Sequence, residues 1–155
     1  MKTRFINAYR GNTFFLMNIL KDLKDEDMML STGESNTIGW ILGHITQSRG
    51  SLLKRFNKDV EIKEIEKNFE RGAIKNRGLK VNLEETLNDF SSRGEMLAKT
   101  FEEFTDEDFN KDLGIPMPGG KSDVATVLAF LTWHETFHIG QIDLIKAACG
   151  KGGIK

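Results

Sequence analysis

Four long stretches of the chain repeat apolar residues every three to four positions, which is the spacing of an amphipathic α-helix. The first covers residues 3–24, with Phe14 and Phe15 among the apolar residues of its predicted core stripe. The second covers about 37–57 and the third 83–104. The fourth runs without a proline from Asp123 to Gly150, and no segment shows a convincing strand pattern. Because each helix must bury its apolar stripe against another, the sequence predicts an all-α four-helix bundle.

Start and stop signals flank these stretches. Asn36 is the predicted N-cap of helix two, and Asn57 is its predicted stop. Helix four is predicted to begin after Ser122 or Asp123 and to end at Gly150. The boundaries are therefore set by residues that satisfy or terminate the backbone hydrogen bonds of a helix.

The connection between helices two and three is long. Residues 58–82 are rich in charge and are broken by Gly72 and Gly78, although residues 61–69 could form a short helix. A connection of about 25 residues can cross a bundle from end to end, so helices two and three need not be antiparallel neighbours. At this chain length we expect one domain over residues 1–155.

Charge and cysteine content narrow the classes of function. Lys and Arg number 22 against 23 Asp and Glu, so the net charge of -1 offers no basic excess for nucleic acid. No run approaches the ~20 apolar residues of a membrane helix, and the N-terminal stretch is too polar for a signal peptide. The single cysteine, Cys149, cannot form an internal disulfide. We therefore expect a cytoplasmic protein that binds neither nucleic acid nor membrane.

All three histidines fall in predicted helices: His44 in helix two, and His134 and His138 in helix four. At ~100° per residue, the two histidines of helix four share a face and lie one turn apart, so they can bind one metal ion. The alternative is three unrelated core histidines, each satisfied by its own hydrogen bonds. The core stripe of helix four is predicted to centre on His134 and to contain Val124, Val127, Phe130, Leu131, Phe137, Ile142, Ile145 and Ala148.

The face of helix two around His44 changes along its length. It is apolar toward the N-terminal end and small or polar toward the C-terminal end. Small polar residues would leave space in a core, which indicates a polar cavity; the alternative is that this half of the helix faces solvent. The residues predicted to line a substrate cavity are Trp40, Gln47, Ser48 and Ser51.

The letters HETFH at 134–138 fit the H-E-x-x-H pattern of zinc proteases. No glutamate follows Glu135 to act as a third ligand, and Gln141 and Leu144 stand where the longer metzincin pattern has glycine and histidine. The third ligand must then come from upstream, where His44 is the candidate. Glu135 either orients a metal-bound water or a histidine, or is a surface or interhelix glutamate.

The order of a helical apolar segment, KDEDMMLSTGESNTIGWILGHITQ, a third helix and VLAFLTWHETFHIGQIDLIKAACG resembles the DinB-like family of metalloproteins over nearly the whole chain. The resemblance implies an up-down-down-up bundle that holds a divalent metal on His44, His134 and His138. Gly140 and Gln141 match a G-Q pair common in that family. It further implies a homodimer, and characterised members include thiol-dependent S-transferases.

Three neutral imidazoles would leave a bound cation its full charge and open coordination positions, as in catalytic sites. Zinc is the default, and nickel or ferrous iron is compatible. The first hypothesis is a transferase in which a low-molecular-weight thiol attacks a small-molecule electrophile, with Gln141 and Gln47 holding the ligand. The alternatives are a hydrolase that uses a metal-bound water, and a non-enzymatic metal-binding stress-response protein.

Overall fold

The computed structural model describes residues 1–70, 79–117 and 119–153, so Gly72 and Gly78 lie outside the described residues. Within these ranges the regular structure is helical apart from one isolated β-bridge, and no helix is long and apolar enough to cross a membrane. The long helices are α1 (Lys2–Leu20), α2 (Ile38–Arg55), α3 (Leu83–Glu103) and α4 (Val124–Ala148). Short 3₁₀ turns lie at Asp25–Met29, Glu64–Phe69 and Asp108–Asn110. The second of these, Glu64–Phe69, is called the crossover turn below.

The ends of α2 and α4 follow the sequence signals with one exception. Thr37 rather than Asn36 caps α2, because its side-chain oxygen accepts a hydrogen bond of 3.1 Å from the backbone N–H three residues on. Asp123 caps α4 in the same way at 2.8 Å. Asn57 and Gly150 take left-handed conformations, with φ of 56° and 75°, just beyond α2 and α4. The predicted stops of these two helices are thus confirmed.

Contacts between helix ends give the topology. In cross-section α1 and α2 each pack against both α3 and α4. Lys2, at the start of α1, reaches the carbonyl of Glu102 at the end of α3, and Lys58, just beyond α2, also reaches the end of α3. Lys146, near the end of α4, donates to the carbonyl of Ile19 near the end of α1. The order is therefore up-down-down-up, which requires a long crossover between α2 and α3.

A buried polar network joins all four helices at the centre of the bundle. Arg49 of α2 is 1% exposed and donates to both carboxylate oxygens of Glu135 in α4, at 2.7 Å each. The same guanidinium donates to the carbonyls of Tyr9 in α1 and Phe90 in α3, and lies 3.4 Å from the Phe90 ring centroid. Asn12 of α1 donates to Glu135 at 2.9 Å. Each charge is thus compensated, as burial requires.

The buried face of α4 differs from the predicted stripe. Phe137 is 51% exposed and Ala148 is also exposed, whereas Leu128 and Ile139 are buried. Centring the stripe on His134 displaced the predicted face by roughly a quarter of a turn, at ~100° per residue. Glu135 lies near the true centre, because its arginine partner allows a carboxylate to occupy a core position.

A similar error affects α1. The helix ends at Leu20 rather than at residue 24, and Phe14 and Phe15, predicted to belong to its core stripe, are both exposed. Asn12 is buried on this helix in their place, where it reaches Glu135. The buried face of α1 thus includes a polar contact to α4 among its apolar residues, and two aromatic rings are left on the surface.

Replacing one member of the central ion pair should be more damaging than replacing both. Arg49→Met is expected to lower the free energy of unfolding by about 3–5 kcal/mol, because the carboxylate of Glu135 stays buried without its partner. Adding Glu135→Met should recover part of that loss. Urea titrations of the three proteins measure both effects, with Arg10→Met at an exposed ion pair as a control that should not differ from wild type. A double variant no more stable than Arg49→Met alone would contradict this account.

Candidate metal centre

The three histidines meet at one point between α2 and α4. Nε2 of His134 lies 3.3 Å from Nε2 of His44 and 3.1 Å from Nε2 of His138. One ligand nitrogen from each ring lies within 4.8 Å of the others. Two imidazole nitrogens bound to one tetrahedral ion at ~2.0–2.1 Å would be about 3.3 Å apart. The observed spacing therefore suits a single cation.

Local helix geometry and one long-range contact bring these rings together. His134 and His138 project from α4 one turn apart, as the sequence spacing predicts. His44 comes from the antiparallel helix α2, five residues before Arg49, and Arg49 is paired with Glu135, which follows His134 in sequence. The central ion pair therefore sets the level at which α2 faces the two histidines of α4.

A backbone carbonyl determines the tautomer of His44. The carbonyl of Phe69, the last residue of the crossover turn, accepts a hydrogen bond of 2.6 Å from Nδ1 of His44. Because a carbonyl can only accept, Nδ1 carries the hydrogen and the neutral ring keeps its lone pair on Nε2. Trp40 stacks on this ring at 5.0 Å between centroids and 13° between planes. The ring is thereby held as a metal ligand would be.

Gln141 holds His138 in the corresponding way. Its side-chain oxygen accepts from Nδ1 of His138 at 2.7 Å, which again leaves the lone pair on Nε2. Gln141 therefore lies behind the ligand ring, on the side away from the converging nitrogens. This contact gives Gln141 a positioning role, and the predicted contact with an exogenous ligand stays a prediction.

The resulting cluster is poor in hydrogen-bond donors. The Nε2 lone pairs of His44 and His138 both face Nε2 of His134. If all three rings are neutral, the three Nε2 atoms carry at most one hydrogen between them, because only His134 could have its hydrogen on Nε2. A divalent cation would satisfy all three lone pairs at once, so the residues present fit the ion that the sequence pattern predicts.

Burial acts on the protonation of two of these rings. Desolvation lowers the pKa of His44 below its ordinary value of 6.5, against an opposing effect of the Phe69 carbonyl. Desolvation also lowers the pKa of His138, against the hydrogen bond to Gln141, and the nearby His44 lowers it further. Both rings are therefore neutral, and able to bind a metal, at neutral pH.

Glu135 occupies the position of the protease base in the HETFH pattern but makes structural contacts. It is buried, and its two oxygens accept three hydrogen bonds, two from Arg49 and one from Asn12. These contacts favour the interhelix interpretation over the catalytic one, because the carboxylate is already fully engaged across the bundle.

The four residues predicted to line a substrate cavity do not lie around one cavity. Trp40 packs on His44, and Ser48 borders a void of about 10 Å³ between α2 and α4 while donating to the carbonyl of His44. Gln47 is buried and donates to Ser51, which is exposed. The structure thus brings Trp40 and Ser48 close to the histidines and directs Ser51 toward solvent. A role of all four in substrate binding stays a prediction.

Arg49 and Phe69 were missed by the sequence reasoning. Arg49 did leave a signal, since it lies one helical turn from Ile45, Leu52 and Leu53, and a charge on such an apolar face needs a buried partner. Phe69 contributes through its backbone carbonyl, which every residue possesses. No side-chain pattern could have identified that contact.

Comparison with known proteins agrees with the fold. The sequence pattern of the DinB superfamily matches residues 16–142. A DinB-like protein from Bacillus cereus ATCC 10987 has a similar structure, with a TM-score of 0.67 and 17% identity over 94% of this chain and 91% of that one. YfiT from Bacillus subtilis is described as a probable metal-dependent hydrolase with an unusual four-helix bundle topology. Its structure has a TM-score of 0.64 and 14% identity over 96% of this chain and 87% of that one. No curated protein matches in sequence.

The metal-free protein should lose stability as the pH falls below about 6.5. The unfolded chain takes up protons on His44 and His138 at a higher pH than the folded chain does, so acid favours unfolding. Carboxyl groups with a lowered pKa titrate below their ordinary values of 3.8 or 4.5 and act in a separate, more acidic range. Urea titrations with a chelator between about pH 8 and 5 measure the effect.

The matched control is the His44→Gln, His138→Gln double variant. Its free energy of unfolding should change less over the same pH interval, because the rings of His44 and His138 no longer take up protons there. Equal slopes for the variant and the wild type would show that other groups cause the acid sensitivity.

Proposed function

Because the chain belongs to the DinB superfamily and its three histidines converge, we propose that His44, His134 and His138 hold one divalent metal ion in an enzyme that acts on a small molecule. The observation that carries the proposal is the approach of three Nε2 atoms, two of them left unprotonated by hydrogen bonds at Nδ1. Zinc is the default occupant, and nickel or ferrous iron suits the same imidazole donors.

The first proposed reaction is a thiol transfer. When bound, a divalent ion on neutral imidazoles lowers the pKa of a thiol or water that coordinates to it. In the transfer, the sulfur of a low-molecular-weight thiol forms a bond to an electrophilic carbon, the bond from that carbon to its leaving group breaks, and the thiol proton passes to solvent. This reaction needs no protein base, which agrees with a site whose Glu135 is held by Arg49.

Aromatic side chains form the surroundings in which such a reaction would occur. Each candidate ligand packs against an aromatic ring, which shields part of the imidazole from water. His134 and His138 are only half-buried, so the site stays accessible on the α4 side. These features support an uncharged, partly apolar substrate site. The three pairs are Trp40 with His44, Phe130 with His134, and Phe137 with His138.

A metal-dependent hydrolase is the second candidate. The observation that favours it is the likeness in fold to YfiT, which is described as a probable metal-dependent hydrolase. A hydrolase of the protease type would use Glu135 as its base, and Glu135 could serve only after breaking its pairing with Arg49. The thiol transfer therefore agrees better with the observed contacts. A metal-binding stress-response protein without a reaction is the remaining alternative.

We also propose a homodimer formed through α4. Trp133, Phe137 and Leu144 are 61%, 51% and 67% exposed, and they surround Gly140 in a shallow depression of about 420 Å³ whose lining contains no ionised side chain. Contiguous exposed apolar surface of this kind is typical of an interaction site. Because Phe137 packs against His138, a second copy placed here would border the candidate metal centre.

The transferase proposal is tested with metal-loaded protein, a low-molecular-weight thiol and a chromogenic aryl halide. We expect catalysis above the uncatalysed rate that falls by about two orders of magnitude or more on His138→Ala or on chelation. Ala129→Ser, an exposed position on the same helix, should keep wild-type activity. A wild-type rate no higher than that of His138→Ala would reject a thiol transferase.

A thiol-free panel of esters and amides, run on the same proteins, separates the hydrolase alternative. Turnover there without thiol, again lost in His138→Ala, would favour the hydrolase. Inactivity in both assays, with one metal ion per chain by elemental analysis, would favour a binding protein.

The dimer is tested by Leu144→Lys, which places a charge in the apolar face of α4 without touching the histidines. We expect the wild type to sediment as a dimer and this variant to dissociate at the same concentration, because the charge would have to be buried. Phe14→Lys, at an equally exposed aromatic position on α1, is the matched control and should remain dimeric. A monomeric wild type, or dissociation by both variants, would contradict an interface on α4.

A further inference from the structure

We propose that the crossover turn is part of the metal centre, and that the buried ion pair of Arg93 and Glu66 positions His44 through this turn. Arg93 and Glu66 are not ligands. They fix the segment whose last carbonyl selects the tautomer of His44. The inference rests on the proposed function only in treating His44 as a ligand.

The crossover turn lies directly against the ligand-bearing part of α2. The carbonyl of Phe69 accepts from Nδ1 of His44 at 2.6 Å, and the carbonyl of Asn68 accepts from the indole N–H of Trp40 at 3.1 Å. The ring of Phe69 is so close to Gly43 that a Cβ there would lie 2.6 Å from it. Two successive carbonyls therefore face His44 and the ring stacked on it.

This turn is a short element whose position depends on contacts with the helices around it. It is a six-residue 3₁₀ segment, in which hydrogen-bond geometry is poorer than in an α-helix. Arg93 of α3 fixes it by donating to both carboxylate oxygens of Glu66, at 2.6 and 2.8 Å. The same guanidinium donates to the carbonyls of Thr46 in α2 and Glu61 in the connection. One side chain thus joins α2, α3 and the crossover.

Burial makes this attachment strongly dependent on both partners. Arg93 and Glu66 are each buried, so either one without the other would be an uncompensated charge in the interior. Glu66 also accepts from the backbone N–H of Lys63 at 2.8 Å, which caps the turn that carries Phe69. The pair therefore helps to hold the Phe69 carbonyl in place, together with the buried Phe69 ring.

The chemical consequence lies at Nε2 of His44. Without the Phe69 carbonyl, the neutral ring is free to carry its hydrogen on Nε2, the atom that faces His134 and His138. A protonated Nε2 cannot bind a metal. Loss of a hydrogen-bond partner behind a metal ligand typically lowers metal affinity about 10–100-fold.

The first test uses metal-free protein and does not depend on metal binding or activity. Nitrogen-15 spectra of the imidazoles at neutral pH report which nitrogen of His44 carries the hydrogen. We expect the Nδ1–H form in wild type and a mixture in the Arg93→Met, Glu66→Met double variant, which leaves no buried charge unpaired. Lys67→Ala, which removes an exposed ion pair of the same turn, should match wild type. An unchanged tautomer in the double variant overturns the inference.

The second test is a cobalt titration followed by the visible absorption of the bound ion. The double variant should bind about 10–100-fold more weakly and show altered bands. Leu97→Ala, which removes fully buried apolar volume from the cluster that Leu97 forms with Phe5, Phe101 and Leu128, controls for lost stability and should bind like wild type. Equal affinity in the double variant overturns the coupling. A wild type that binds no metal would instead reject the proposed function. The tautomer experiment would still test whether Arg93 positions His44, because it uses metal-free protein.

Discussion

The ion pair of Arg49 and Glu135 sets the level at which α2 and α4 face each other, and the candidate metal centre depends on that level. A slip of one helical turn would move His44 by about 5.4 Å relative to α4 and separate nitrogens that now lie 3.3 Å apart. Apolar packing tolerates shifts better than a buried pair does, because a displaced guanidinium leaves both charges uncompensated. The same guanidinium reaches carbonyls of α1 and α3, so one residue aligns all four helices.

The histidines are held by partners of different origin. His138 is oriented by Gln141, three residues away on the same helix, so any stable α4 would provide that contact. His44 is oriented by a carbonyl 25 residues away in the crossover. One part of the site is therefore as rigid as a helix, and the other depends on tertiary structure. The aromatic rings around both parts leave the α4 side accessible, which is where the proposed substrate and second copy would meet.

Local patterns in the sequence were enough to predict the four helices, the long connection between α2 and α3, and the three histidines as one candidate cluster. Helical spacing and the positions of rare residues are local properties, which is why these features could be predicted. The orientation of α4 about its axis was not predictable in this way. Hydropathy assigns Glu135 to the surface, yet a partner on another helix places it in the core. The role of Phe69 was also inaccessible, because a backbone carbonyl has no sequence signal. In both cases the sequence does not reveal which group on another element makes the contact.

The ninety residues that separate His44 from His134 have a consequence for the order of folding. While the chain is being synthesised, α1, α2 and α3 emerge before α4, and at that stage Arg49 has no carboxylate to meet. Burial of this guanidinium among α1, α2 and α3 alone would leave its charge uncompensated, which is costly. Docking of α4 supplies Glu135 and the histidine pair in one event, so the bundle and its metal-binding cluster form together.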